Sequence, residues 1–357
     1  MFDKLAGNQN VKELLKRMLE SGRVPGALLF SGPEAVGKKL FAIEVAKALN
    51  CRSPKGIEAC DECSSCLRVP RFNYPQTDKV EDWELIRSDH ADVAMVIAPK
   101  RVLRVNQMRA IEREANYRPF EGKARVFLVE DADKLNDESA NALLKTLEEP
   151  PRTSHIILIT SRPAMLLPTI RSRCQTVRFS PLSVGEIEDQ LIKHEGATAK
   201  DVRLRSRLAA GSIGLALETD LDEYHIRRKL MQKVLEAVTV NPDRQQLLTI
   251  SEDLNSAKYK DDYEAILDIL EALIRDALRI RLGAAEIVNE DLRAPLETVA
   301  QHLTSADAQR WIDEIELVRE ELVVNINRKV ATDALFMSMA GSNAAHYIDV
   351  RRLLRKS

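Results

Sequence analysis

Residues 28–39, Leu-Leu-Phe-Ser-Gly-Pro-Glu-Ala-Val-Gly-Lys-Lys, decide the fold of this chain. An apolar run ends in a glycine-rich turn and a lysine, and an apolar helical pattern follows over residues 40–46. A strand, a glycine-rich loop and a helix in this order form a P-loop, in which backbone N–H groups and the helix N-terminus bind phosphate. Gly32, Gly37 and Lys38 occupy its fixed positions. The sequence therefore predicts an α/β fold with a phosphate site.

Two features separate this loop from that of an active P-loop enzyme. The pattern G-x-x-x-x-G-K-[ST] requires a hydroxyl for Mg²⁺ at its last position, where this chain has Lys39. The apolar strand over residues 125–129 ends in Glu130-Asp131, the reverse of the usual Asp for Mg²⁺ followed by Glu for water. Acids exposed at a strand end are the alternative interpretation. We predict a degenerate nucleotide site that does not hydrolyse ATP, and the sequence leaves ATP binding open.

The strand over residues 156–159 adds two polar side chains to this site. Thr160 and Ser161 close that fully apolar run. Apolar runs of this kind are flanked on both faces in parallel sheets, which bind ligands beyond the carboxyl ends of their strands. The predicted site consists of Gly32, Gly37, Lys38, Lys39, Glu130, Asp131, Thr160 and Ser161.

Bulk composition limits the partners of the chain. Its 357 residues predict two or three domains, and a formal net charge of −2 gives no general attraction to nucleic acid or membranes. Only 4% of residues are aromatic, which argues against a surface that stacks bases. The chain begins without a signal peptide and has no apolar run of membrane length, so we predict a cytoplasmic protein without membrane contact.

Four of the five cysteines lie within sixteen residues. Cys51, Cys60, Cys63 and Cys66 are spaced C-x8-C-x2-C-x2-C. Two overlapping C-x2-C turns place thiolates around a tetrahedral Zn²⁺, and Cys51 supplies the fourth ligand. Unrelated thiols or a redox pair are the alternatives. Because the protein fills all four positions, the predicted zinc is structural.

Arginines surround the start of a predicted helix. Arg101 and Arg104 precede a helical pattern that contains Arg109, and Asn106 is its predicted N-cap. Arginines beside a helix N-terminus contact DNA phosphates in protein–DNA complexes. A solvated charged face is the alternative, and the sequence leaves both open.

Arg173 lies in the segment Arg-Ser-Arg-Cys at 171–174, after an apolar strand, a proline-broken loop and a short helix. An arginine at the edge of the first domain can reach the nucleotide site of a neighbouring subunit. The alternative is a cation favoured at a helix C-terminus by the helix dipole. No acid lies close to Arg173 in the sequence.

The chain is helical in pattern almost throughout from residue 222. An apolar stripe runs through residues 263–278 and recurs over 311–322. No metal, nucleophile or acid–base constellation occurs in this region. It is predicted to be an all-helical domain with a packing or assembly role.

Together these motifs resemble the AAA+ clamp-loader family over nearly the whole chain. The resemblance rests on the altered P-loop, the four cysteines and four short runs. These runs are Glu-Asp-Ala-Asp at 130–133, Asn-Ala-Leu-Leu-Lys-Thr-Leu-Glu-Glu-Pro-Pro at 141–151, Ser-Arg-Cys at 172–174 and Val-Asn-Ile-Asn-Arg at 324–328.

The resemblance implies three domains. A RecA-like α/β domain spans residues 1–178 with a zinc module at 51–66, a helical lid spans 179–220, and an all-α collar spans 221–357. The implied partners are the other loader subunits, gamma/tau and delta, in a hetero-pentameric ring. The sliding clamp and primer-template DNA are reached through that complex.

Within such a ring the resemblance implies a stator, a component of the DNA polymerase III holoenzyme without ATPase activity of its own. Arg173 is then the arginine finger offered in trans to a motor subunit. The alternative is an ATP-hydrolysing motor of the gamma/tau type, which requires a hydroxyl at 39 and Asp-Glu at 130–131. A zinc-knuckle nucleic-acid binder requires basic and aromatic residues among the cysteines, but residues 58–63 are acidic.

Overall fold

The chain folds as two units, Met1–Glu218 and Thr219–Ser357. A computed structural model describes residues 2–76, 79, 84–99, 102–195, 199–256, 259, 262–323 and 327–341. The first unit is α/β and the second is helical. A separate lid over 179–220 and a collar from 221 stay predictions.

A six-stranded sheet forms the centre of the first unit. Its strands are β1 (Ala27–Ser31), β2 (Ile86–Arg87), β3 (Val93–Val96), β4 (Arg125–Val129), β5 (Ser154–Thr160) and β6 (Gln175–Arg178). They are ordered β2-β3-β4-β5-β1-β6, and every neighbouring pair is parallel except β2 with β3. Because β1 and β5 are buried on both faces, their sequences are almost continuously apolar. The predicted α/β sheet is confirmed.

Helices of the first unit pack on both faces of this sheet. The helices of this unit are α1 (Gln9–Glu20), α2 (Lys38–Asn50), α3 (Ser64–Arg68), α4 (Val105–Ala115), α5 (Asp137–Glu148), α6 (Pro168–Arg171), α7 (Val184–Glu195), α8 (Ala199–Leu208) and α9 (Ile213–Glu218). On one face Phe41 of α2 packs edge-on against Phe179, with ring centroids 5.1 Å apart. On the other face Leu29 and Leu158 pack with Leu143 of α5. These two apolar layers fix α2, and with it the P-loop, against the sheet.

Helices α4 and α5 begin at different kinds of cap. Asn136 is the N-cap of α5, because its Oδ1 accepts a hydrogen bond from the Ser139 N–H at 2.9 Å. Asn106 is wrong as the N-cap of α4, which begins at Val105. Gln107 Oε1 accepts from the Arg104 N–H at 2.9 Å, and Gln107 N–H donates to the Arg104 carbonyl. This reciprocal pair closes the helix end at Arg104 and leaves Asn106 inside the first turn.

Two buried side chains hold the turn that precedes β4. The Asp92 carboxylate accepts hydrogen bonds from the backbone N–H groups of residues 120, 121 and 122 at 2.6, 2.9 and 2.7 Å. Asn50, the last residue of α2, accepts from the N–H groups of Lys123 and Ala124 at 2.9 and 3.0 Å. These bonds tie the start of β4 to β3 and α2. They thereby fix where β4 ends and where Glu130 follows.

The second unit is helical throughout its described residues. Its helices are α10 (Leu221–Thr239), α11 (Arg244–Leu254), α12 (Tyr263–Arg281), α13 (Arg293–His302), α14 (Ser305–Val323) and α15 (Arg328–Met339). The predicted apolar stripe of α12 is confirmed as buried. The predicted motif at 324–328 lies partly outside the described residues, since only Asn327 and Arg328 are described. No helix in the described part of the chain has the length and apolarity to cross a membrane.

Replacing Asp92 with asparagine removes the charge that three N–H donors face. We expect Asp92→Asn to lower the free energy of unfolding by roughly 2–4 kcal/mol, because hydrogen bonds to a buried charged group are worth more than neutral ones. Urea unfolding followed by circular dichroism measures this. The control is Asp189→Asn on the exposed face of α7, for which we expect a change within about 0.5 kcal/mol. Equal effects of the two substitutions would contradict the role given to Asp92.

Candidate nucleotide and metal sites

The P-loop connects β1 with α2. Gly32 has φ +155°, and a Cβ there would lie 2.4 Å from the Phe179 carbonyl oxygen. Gly37, directly before α2, has φ +95°, a conformation that L side chains rarely adopt. Lys38 opens α2, and its ammonium donates to the Gly32 carbonyl at 2.8 Å and to the Pro33 carbonyl. Burial lowers the pKa of Lys38, although nearby carboxylates led by Glu34 oppose the shift.

Lys39 forms an ion pair with the acid that follows β4. Its Nζ lies 2.9 Å from Glu130 Oε1 and also donates to the Tyr74 hydroxyl at 3.2 Å. Burial opposes the charged form, but the Glu130 carboxylate and its hydrogen bond outweigh it and raise the pKa of Lys39. In an active P-loop enzyme the residues at these two positions hold Mg²⁺. Here an ammonium group neutralises the acid instead.

The other acids after β4 point to different partners. Asp131 adopts φ +48°, and its carboxylate pairs with Lys134 at 2.8 Å. The buried Asp133 accepts from the Thr160 hydroxyl at 2.7 Å and pairs with Arg162 at 2.8 Å. Sequence reasoning did not assign Asp133 a role. The only sequence feature that could have indicated a role for it was its position in the Glu-Asp-Ala-Asp run at 130–133.

A cavity of about 670 Å³ contains most of the predicted nucleotide site. Its polar wall includes Gly37, Lys38, Lys39, Glu130, Asp131, Thr160 and Ser161, whereas Gly32 lies outside it. Leu5, Ala6, Ile213 and Leu217 form an apolar wall, and α9 approaches the loop through a 3.0 Å bond from the Gly214 N–H to the Ala35 carbonyl. One side of the cavity thus suits phosphates and the other an apolar ring. We name it the nucleotide pocket.

The four predicted cysteines lie together in the first unit. Their Sγ atoms all fall within 4.8 Å of one another, and four of the pairs are 3.5–4.0 Å apart. Four sulfurs around a tetrahedral Zn²⁺ at about 2.3 Å would be about 3.8 Å apart. All four are free thiols, so the disulfide of an oxidised redox pair is absent from this described cluster. The donor set and its spacing fit a metal ion.

Backbone N–H groups support negative charge on three of these sulfurs, those of Cys51, Cys60 and Cys63, whereas burial raises the pKa of Cys66. The N–H of Cys60 points to Cys51 Sγ at 3.3 Å, and the N–H of Cys63 points to Cys60 Sγ at 3.2 Å. Burial opposes ionisation of Cys63, but N–H donors, first that of Cys66, lower its pKa to about 6. A lowered thiol pKa favours the thiolate that a metal requires.

Polar bonds hold the cysteine segment on the sheet domain. Ser65 of α3 donates to the Asn50 carbonyl at 2.8 Å. Arg68 forms a bidentate pair with Glu121 at 2.9 and 2.6 Å, which lowers the pKa of Glu121 to about 2. Glu121 also belongs to the turn before β4, and the Asn50 side chain accepts hydrogen bonds from that turn. The metal cluster and the nucleotide pocket are therefore attached to the same scaffold.

Arg173 has an acid partner that its local sequence does not reveal. Its Nε donates to Glu148 Oε1 at 2.5 Å, its Nη2 contacts the same oxygen, and its Nη1 donates to the Thr169 carbonyl at 3.0 Å. Glu148 is 25 residues earlier and comes close because α5 ends beside α6. Nη1 also donates to the Ser172 hydroxyl at 3.4 Å, so these four contacts leave one N–H of Nη2 without a partner among the described residues, and the side chain is 31% exposed.

The predicted DNA-contacting arginines are only partly described. Arg101 lies outside the described residues. Arg104 and Arg109 are exposed at the start of α4. A DNA contact and a solvated face both remain open for them.

Strand order and site geometry define the class of this protein. A P-loop follows the interior strand β1, acids follow β4, and a threonine ends β5, which lies between these two strands. Together with a helical second unit, this is the architecture of a AAA+ P-loop protein.

Comparison with known proteins gives the family. Models described as DNA polymerase III, delta subunit, and its C-terminal part match residues 7–183 and 222–336. The DNA polymerase III subunit delta′ of Bacillus subtilis is 29% identical over 87% of this chain and 88% of its own length. The Escherichia coli subunit delta′ is 29% identical over 90% and 91%. The chain belongs to the DNA polymerase III clamp-loader family, in its delta-prime branch.

More distant matches include a motor-type subunit and a solved structure. The tau subunit of Escherichia coli is 26% identical over 93% of this chain, which spans 52% of that protein. A gamma subunit-related protein of Thermotoga maritima is 18% identical, covers 92% of this chain and 98% of its own, and has a TM-score of 0.41.

A double-mutant cycle tests the Lys39–Glu130 ion pair. We expect Lys39→Met and Glu130→Gln to show a coupling energy of about 1 kcal/mol in urea unfolding, because both groups are partly shielded from water. The control pair is Lys134 with Asp131, which has the same separation but a more exposed carboxylate, and its coupling should stay below about 0.5 kcal/mol. Equal coupling in the two cycles would contradict a shielded pair at position 39.

Proposed function

We propose that this clamp-loader subunit is the stator of its ring. In this proposal it joins gamma/tau and delta subunits in a hetero-pentamer that places a sliding clamp on primer-template DNA. It does not hydrolyse ATP itself. It supplies Arg173 to the nucleotide held by an adjacent motor subunit.

The Lys39–Glu130 ion pair is the observation that favours a stator over a motor. A motor needs a hydroxyl and an acid that together hold Mg²⁺ on the β- and γ-phosphates. In this chain the Lys39 ammonium neutralises the Glu130 carboxylate. A divalent cation would have to displace this partly buried ion pair. Lys38 and the apolar wall formed by Leu5 and Ile213 still support binding of a nucleotide. ATP binding without turnover is therefore the proposed behaviour of the nucleotide pocket.

The geometry of Arg173 supports its proposed role as a finger in trans. Glu148, the Thr169 carbonyl and the Ser172 hydroxyl hold the guanidinium in place, so less side-chain freedom is lost when its remaining N–H meets a phosphate. An arginine finger stabilises the charge that develops during phosphoryl transfer and contributes on the order of 10³–10⁵ in rate. Supplying the group from another subunit makes hydrolysis depend on ring assembly.

Two further parts of the proposal concern structure. Cys51, Cys60, Cys63 and Cys66 hold a structural zinc, supported by the sulfur spacing and the absence of a free ligand position. The helices from Leu221 onward form the collar that joins the subunits, supported by their long buried stripes.

Metal analysis tests the zinc. Protein purified under reducing conditions should contain about one zinc per chain, as a four-thiolate site requires. Cys60→Ser should lose the metal and destabilise the first unit. Cys174→Ser is the matched control, because this buried cysteine is not part of the cluster, and it should keep the full zinc content. A zinc content below about a tenth of one per chain in the unaltered protein would refute the site.

Rings rebuilt with altered Arg173 test the finger. Arg173→Ala should leave assembly intact and slow turnover at the adjacent motor site by roughly 10³-fold in DNA-stimulated ATPase and clamp-loading assays. Arg173→Lys should restore little, since a point charge lacks the planar fork. Arg152→Ala, an exposed arginine before β5, is the control and should match the unaltered ring.

Two results would overturn the proposal. Unaltered rates of ATP hydrolysis and clamp loading in Arg173→Ala rings would show that Arg173 is only a cation at the end of a helix. Steady ATP turnover by the isolated chain, abolished by Lys38→Ala, would make this subunit a motor.

A further inference from the structure

A second cavity, of about 740 Å³, lies beside the P-loop and does not include Lys38 or Arg173. The ends of β1 and β6, the first P-loop residues and α6 form its walls, all within the first unit. We call it the β6 cavity. Its polar side chains relevant here are Ser31, Ser161, Arg171, Thr176 and Arg178.

The register of the sheet explains why this cavity is polar. Ser31 pairs with Arg178 and Leu29 with Thr176, and alternate residues of a strand share one face. β6 is an edge strand, and along it Val177 is buried on the opposite face while Arg178 is exposed. This face of the sheet edge is therefore open to a ligand.

The charged side chains that line the β6 cavity are all positive. Arg171 and Arg178 line it, and no aspartate or glutamate does. Within the described part of the chain neither guanidinium has an acidic or hydrogen-bonding partner. By contrast, Arg162 pairs with Asp133 and Arg173 with Glu148. Two unpaired guanidinium groups in one cavity attract an anion.

Hydroxyl groups add neutral donors to these charges. Ser31 is only 6% exposed, and its hydroxyl has no hydrogen-bond partner among the described residues. The hydroxyls of Ser161 and Thr176 also lack protein partners in the described chain. The cavity thus offers three hydroxyl groups that are free to donate to a ligand.

We propose that the β6 cavity binds a phosphate group. Guanidinium forks bind phosphate oxygens in bidentate fashion, and hydroxyls donate to the remaining oxygens. The absence of carboxylates from its lining argues against a cation. A nucleotide and the backbone of DNA both carry this chemistry. The site shares only Ser161 with the nucleotide pocket, and the proposal goes beyond the stator function proposed above.

Calorimetric titration of the full chain with inorganic pyrophosphate tests the site. The Lys38→Ala background removes P-loop binding, so that only the β6 cavity is measured. Arg171→Gln with Arg178→Gln should weaken binding at least about tenfold, because each bidentate contact to phosphate is charge-assisted. Ser31→Ala should weaken it about threefold, the loss of one neutral hydrogen bond. Arg152→Gln is the matched control and should change nothing.

Two outcomes overturn the proposal: no pyrophosphate binding in the Lys38→Ala background, or binding that the double arginine variant leaves unchanged. Circular dichroism of each variant separates a lost site from a lost fold.

Competition then distinguishes the source of the phosphate. Displacement of pyrophosphate by primer-template DNA, with a salt dependence reduced by about two counterions in the double variant, assigns the site to nucleic acid. Displacement by ATP but not by DNA assigns it to a nucleotide, and displacement by neither excludes both. These experiments use the isolated chain, so their failure leaves the Arg173 proposal, which requires the ring, untouched.

Discussion

Parallel pairing of β1 between β5 and β6 is the constraint on which the functional parts of the first unit depend. Because parallel strands end at the same edge, this order brings the P-loop next to Thr160 on one side and Arg178 on the other. Two cavities result, one on each side of the loop. Asp92 and Asn50 hold β4 in register, so that Glu130 reaches Lys39 at the same edge.

Lys39 shows how a single side chain changes the chemistry of a P-loop without changing its fold. The helix, the glycines and Lys38 keep the geometry of a phosphate site. A fixed ammonium replaces an exchangeable metal ion as the neighbour of Glu130. The positive charge beside the phosphates is then permanent, but it is a single charge without the octahedral coordination in which Mg²⁺ holds phosphate oxygens and waters. This difference underlies the proposed loss of hydrolysis.

Sequence reasoning predicted the features that local pattern encodes. The α/β sheet and the P-loop helix follow from apolar periodicity and side-chain chemistry within a few residues, and the clustering of the four cysteines follows from their spacing. It did not predict the side-chain contacts between residues that are distant in the sequence. Glu148 contacts Arg173 only because α5 packs on α6. The Thr160 hydroxyl contacts Asp133 only because β5 ends beside the segment that follows β4. Asn106 is not the N-cap of α4 because Gln107 accepts from the Arg104 N–H, so that the helix begins at Val105.

The Lys39–Glu130 pair also has an evolutionary consequence. A substitution of Lys39 by threonine would leave a glutamate, one methylene longer than the usual aspartate, without its counterion. A change of Glu130 to aspartate alone would leave the ammonium beside the acid. Neither substitution alone recreates the hydroxyl and aspartate of an active P-loop site. The two positions are therefore epistatic, because the effect of a change at one depends on the residue at the other.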